Sequence, residues 1–113
     1  PRKTRRAYLA EKERARTFIT ERLSHFNRLY GYPVGRIAIR DPKRRWGSCS
    51  KNGNVSFSWR LLDLPPALAD YIVVHELCHI REFNHSPAFW ALVERAIPDY
   101  RARRKALRNI VAV

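Results

Sequence analysis

The run from Ala67 to Phe83 contains no glycine or proline and carries Leu68, Ile72, Val73, Val74, Leu77 and Ile80 on most of its sides. A helix that is apolar nearly all round is a buried one. In a chain of 113 residues, which has room for a single domain, the remaining elements must wrap this helix. Yet the same run holds His75-Glu76-Leu77-Cys78-His79, three ionisable groups in an H-E-x-x-H pattern. Burying such groups without partners is costly, so the segment calls for a shared partner.

At about 100° per residue, His75 and His79 stand about 40° apart and one turn along, so both imidazoles can reach one ion. Glu76 lies about 60° beyond His79, on the side away from His75, where it can reach a metal-bound water without being a ligand. A catalytic zinc takes three protein ligands and keeps a fourth position open. His85, in the turn just after the helix, is the best third ligand, and Glu94 on the following helix is its competitor. Cys78 points about 60° from His75 toward an apolar face and reads as a small buried hydrophobe.

The rest of the chain predicts an α+β fold, a minimal zincin-like domain. From Ala15, the residues Phe18, Ile19, Leu23, Phe26, Leu29 and Tyr30 line one face of an N-terminal helix that Gly31 and Pro33 end. Ile37 and Ile39 alternate with polar neighbours, a second strand runs through Trp46 to Ser50, and Val55, Phe57 and Trp59 alternate in a third. Asn52-Gly53 suggests a type I′ hairpin turn, with positive φ at both central residues. Together these predict a small antiparallel sheet of about three strands. Pro65-Pro66 opens the buried H-E-x-x-H helix, which should stop near Asn84 in a left-handed conformation. Ser86-Pro87 then caps a helix packed through Phe89, Trp90 and Val93, and Pro98 starts a last, basic helix.

Two cysteines, Cys49 and Cys78, are too few for a disulfide scaffold, and as reduced thiols they suggest a cytoplasmic protein. No stretch approaches the ~18 apolar residues of a membrane span, and Pro1 to Arg6 is basic without an apolar segment behind it. A start at proline and the absence of methionine suggest one domain of a longer protein, lacking an N-terminal region. The net charge of +13 gathers at Arg2, Lys3, Arg5 and Arg6, at Arg40, Lys43, Arg44 and Arg45, and at Arg101, Arg103, Arg104, Lys105 and Arg108. Such a field attracts polyanions, although a solvated surface explains it equally well.

These residues suit a hydrolase in which zinc activates a water and Glu76 takes its proton as general base. The same pair serves a peptide carbonyl or a phosphoanhydride, so peptide, protein and nucleotide substrates all stay open. Val55 to Trp59 would accept a peptide by strand addition, and Lys43, Arg44 and Arg45 followed by Trp46 would bind a nucleotide or single-stranded nucleic acid. Asn84 and Tyr100 are candidates to stabilise an oxyanion, and His25 has no assigned role. A non-catalytic nucleic-acid-binding module with a structural zinc is the third class; it would need a fourth protein ligand.

The six-residue step from His79 to His85 equals that of the metzincins, but Glu82 stands where they have glycine, and their methionine turn has no counterpart here. Longer signatures lead elsewhere. Arg45-Trp46-Gly47-Ser48-Cys49-Ser50, Gly53-Asn54, Trp59-Arg60-Leu61, Asp70 through His79, Asn84-His85-Ser86 with Phe89-Trp90, and Pro98-Asp99-Tyr100 together resemble the YgjP-like metallopeptidase family over about residues 44 to 108. The resemblance implies zinc ligation by His75, His79 and His85, catalysis by Glu76, and kinship with SprT-like DNA-associated proteases. Two departures stand out: the family's additional N-terminal region is missing, and Ser58 occupies a position that is often asparagine.

Overall fold

The computed structural model describes residues 4–110; Arg2 and Lys3 of the basic opening segment lie outside them. The elements follow in the order α1 (Arg5–Tyr30), β1 (Ile37–Arg40), β2 (Gly47–Cys49), β3 (Val55–Ser58), a 3-10 turn (Trp59–Asp63), α2 (Pro66–His79), α3 (Pro87–Ala96) and α4 (Tyr100–Arg108). This is the expected α+β arrangement, with the H-E-x-x-H helix at its centre.

Helix α1 begins ten residues before Ala15, because the Thr4 hydroxyl caps it by accepting from the Ala7 N–H, and it ends at Gly31 in the left-handed region (φ 69°). Ala15, Ile19 and Leu23 are buried on its inner face, whereas Leu29 is 47% exposed and stands off the predicted face. A bidentate pair from Arg22 to Asp70, at 2.8 and 2.9 Å, ties α1 to α2.

The sheet is mixed, not antiparallel. Its order is β1-β3-β2, with β3 antiparallel to β2 and parallel to β1. Two reversals of direction leave β1 and β3 pointing the same way, and β3 then inserts between its predecessors. The reason lies in burial: Val55, Phe57 and Ser58 of β3 are all buried, whereas β1 has one buried residue, Ile39, and β2 none, so β3 takes the place with neighbours on both sides. The hairpin also differs from the expected type I′ turn, since only Gly53 has positive φ (81°). The Gly53 N–H donates to the Ser50 carbonyl and the Ser50 N–H to the Asn54 carbonyl, a three-residue loop in which a tight turn is followed by a left-handed glycine. Trp59 leaves the strand to start the 3-10 turn, which Ser58 caps through its Oγ and the Arg60 N–H.

Helix α2 stops at His79, five residues short of Asn84. The Cys78 carbonyl accepts from both the Arg81 and Glu82 N–H groups, which closes one last turn before the chain leaves the helix. Asn84 is exposed and not left-handed. Ser86 caps α3 by accepting from the Phe89 N–H, as its position before Pro87 predicts. Within α2, Val73, Val74, Leu77 and Cys78 have no exposed surface, and Phe57, Trp59, Leu61, Phe89 and Val93 complete the core around them.

Candidate metal centre

One turn of α2 separates His75 from His79, and the turn after α2 returns His85 to them. Their ligand atoms all lie within 4.8 Å of one another. The Nε2 of His85 is 3.0 Å from that of His79 and 3.1 Å from that of His75. A tetrahedral zinc at 2.0–2.1 Å from each nitrogen would set them roughly 3.3 Å apart, so the spacing fits. The outer nitrogens fit as well. His79 Nδ1 lies 3.0 Å from the Glu82 carbonyl, an acceptor only, so Nδ1 carries the proton and Nε2 presents its lone pair. His75 Nδ1 lies 3.2 Å from Glu76 Oε2 and is held in the same sense.

Aromatic rings fix the three imidazoles. Phe89 stacks on His79 at 4.3 Å and meets His75 and His85 edge-on. Trp90 stacks on the exposed His85 at 5.8 Å, and its ring also stacks on Tyr100 and carries the Arg104 guanidinium at 4.9 Å. Burial lowers the pKa values of His79 and His85, helped at His85 by the neighbouring imidazoles. Neutral imidazole is the form that ligates a metal. Glu94 is exposed and outside the cluster. Cys78 is fully buried, its thiol pushed up to about 11 by burial, and both cysteines are free.

A cavity of about 610 Å³ opens beside His75 and Glu76, walled by Trp46 and Gly47, by Tyr71 and Ile72 of α2, and by Arg104 and Leu107 of α4. Glu76 is 6% exposed, and its side chain lies tightly against β2: a Cβ on Gly47 would sit 3.1 Å from Glu76 Cγ and 3.1 Å from the Ser56 carbonyl, closer than an ordinary van der Waals contact. Tyr71, one helical turn before His75, was not singled out in the sequence, although the shared spacing of 71, 75 and 79 places all three on one face. Burial raises its hydroxyl pKa, and Arg104 and Arg108 pull it back. Of the sequence candidates, Lys43, Arg44 and Trp46 line the cavity, whereas Arg45 and Asn84 are exposed and outside it. Tyr100 is buried behind Trp90.

The strand bordering this cavity is β2 and not Val55 to Trp59, since β3 is paired on both sides. The bonds from the Ser58 N–H to the Trp46 carbonyl and from the Ser50 N–H to the Asn54 carbonyl set the alternation of the ladder. Gly47 and Cys49 therefore turn their N–H and C=O groups to the outer edge.

The sequence model of the family described as YgjP-like, metallopeptidase domain, matches residues 2–110. Among solved structures the chain is similar to the crystal structure of the metallopeptidase zymogen of Pyrococcus abyssi abylysin, at a TM-score of 0.70 and 26% identity, over 79% of this chain and 90% of that one. No curated protein matches. Among the described residues no helix is long and apolar enough to cross a membrane.

Proposed function

The chain belongs to the YgjP-like metallopeptidase family, and on that premise we propose that it hydrolyses peptide bonds with one zinc ion held by His75, His79 and His85 and with Glu76 as general base. The observation that carries this reading is the convergence of three Nε2 atoms next to a buried carboxylate at the mouth of a cavity. When bound, zinc supplies Lewis acidity, drawing the pKa of water toward ~7 and polarising the carbonyl under attack. Glu76 takes the proton of the attacking water and delivers it to the leaving amine, a contribution of about 10²- to 10⁴-fold. The outward N–H and C=O groups of Gly47 and Cys49 pair with the backbone of an extended substrate and set the scissile bond over Glu76.

Glu76→Gln keeps the shape of the side chain and removes the base. The variant should bind stoichiometric zinc, measured by elemental analysis, while peptide cleavage falls by about 10²-fold or more. Full activity in Glu76→Gln, or wild-type activity that survives chelation, would defeat the mechanism. Hydrolysis of nucleoside triphosphates but of no peptide would transfer the same residues to a phosphoanhydride.

A further inference from the structure

The cations lining the cavity outnumber its acids four to one. Lys43, Arg44, Arg104 and Arg108 line it, and the one acid in its wall is Glu76. Five acids are engaged elsewhere: Glu11 with Arg14, Glu13 with Arg16, Asp70 with Arg22, Asp99 with Arg103, and Asp41 with the Trp59 indole N–H; Glu21, Glu82 and Glu94 are not among the residues lining the cavity. Lys43, Arg44 and Arg108 form no ion pair among the described residues, and Arg104 rests on the Trp90 ring. Fixed positive charge is thus concentrated on one side of the metal centre.

That charge is held in place. The Asp41-Pro42 segment before Lys43 is pinned by Trp59 Nε1 at 2.8 Å from Asp41 and by the Arg60 guanidinium on the Pro42 carbonyl. Arg104 and Arg108, four apart on one face of α4, line the cavity, and Arg101 and Lys105 extend the same cationic helix face around an adjoining pocket against Trp90. Between the two walls the floor is apolar, made by Trp46, Tyr71, Ile72 and Leu107.

Resting on the peptidase reading, we infer that this cavity selects substrates that carry carboxylates flanking an apolar side chain, on one side of the scissile bond. The apolar side chain fills the floor, and the carboxylates meet Lys43 and Arg44 on one wall and Arg108 on the other. The carboxylates come either from Asp and Glu side chains or from the chain terminus of the substrate. A phosphate backbone would use the cations too, but an apolar floor beside a strand edge with outward backbone groups favours a peptide. Exposed pairs of this kind contribute about threefold each, hence about tenfold for two, and they act chiefly on KM.

The test uses the zinc-loaded chain and fluorogenic peptides with two glutamates on either side of the scissile bond, their glutamine counterparts, and C-terminally amidated versions of each. Glutamate on one side should raise kcat/KM by about tenfold through KM, and the gain should vanish near 1 M salt, where the Debye length is about 3 Å. If amidation removes the gain, the terminal carboxylate is the group selected; if glutamine removes it, the side chains are. Lys43→Glu/Arg44→Glu and, separately, Arg108→Glu should reverse the ranking of acidic and neutral peptides, with zinc content and melting temperature reporting an intact centre. Cleavage of neutral and acidic peptides at equal KM overturns this inference and leaves the peptidase reading standing. The same holds if a single-stranded oligonucleotide loses its binding in these variants while peptide ranking is unmoved. No cleavage of any peptide overturns both.

Discussion

The two edges of the three-stranded sheet are treated in opposite ways. At β1, α1 closes the edge with side chains: the Tyr8 hydroxyl donates to the Ile39 carbonyl at 3.1 Å, and the Arg16 guanidinium donates to the Ile37 carbonyl at 3.1 Å. At β2, the outward N–H and C=O groups of Gly47 and Cys49 form no hydrogen bond among the described residues, and Gly47 borders the cavity beside Glu76. An unpaired strand edge is a hazard for aggregation, and proteins usually cover it or keep it short. Here β1 is covered and β2 is short, three residues long. The edge left open is the one next to the three histidines, which is where strand pairing with a substrate would be of use.

The comparison breaks most severely at Gly47. Gly47→Val would push a side chain into Glu76 and the Ser56 carbonyl. A displacement of about 1 Å at Glu76, the proposed general base, should lower kcat by about 100-fold, and overpacking should cost about 1–3 kcal/mol in denaturant unfolding. Tyr8→Phe tests the closed edge alone. It leaves the Ile39 carbonyl without its donor, so stability should fall by about 1–3 kcal/mol while peptide kinetics stay unchanged. Cys49→Pro is the mirror test at the open edge. Its N–H faces outward, so proline should cost the β3 ladder little, whereas KM for peptides should rise by about three- to tenfold through one lost hydrogen bond.

The smallest effect expected is on pH dependence without metal. His79 and His85 have native pKa values below 6.5, burial being the main cause. The unfolded chain therefore binds more protons than the native one just below pH 6.5. Stability of the metal-free protein should be full above that pH and decline as pH falls through the lowered native values, measured by thermal melts. Zinc should steepen the decline, because protonation and ligation compete for the same Nε2 atoms. Tyr8→Phe should shift the whole curve down without changing its shape.

Much of this arrangement is local and so legible in the sequence. Gly31 as a left-handed cap and Ser86-Pro87 as a helix start follow from backbone preferences of single residues. The common face of His75 and His79, with Glu76 beside it, follows from the helical repeat. Hairpin type and the end of α2 were less legible. They turn on whether Asn52 or Asn84 adopts positive φ, and in each case carbonyls from nearby residues offered the chain a better bond.

By itself, then, the sequence determined the helix, its two histidines and its carboxylate, because 3.6-residue periodicity and capping act within a few residues. Tertiary structure alone decided the rest: that His85 rather than Glu94 meets the other two, that β3 lies between β1 and β2, and that Tyr71, Gly47, Arg104 and Arg108 share one cavity. Those outcomes depend on which buried surfaces find each other across tens of residues. No local pattern encodes that choice; competition for the core settles it.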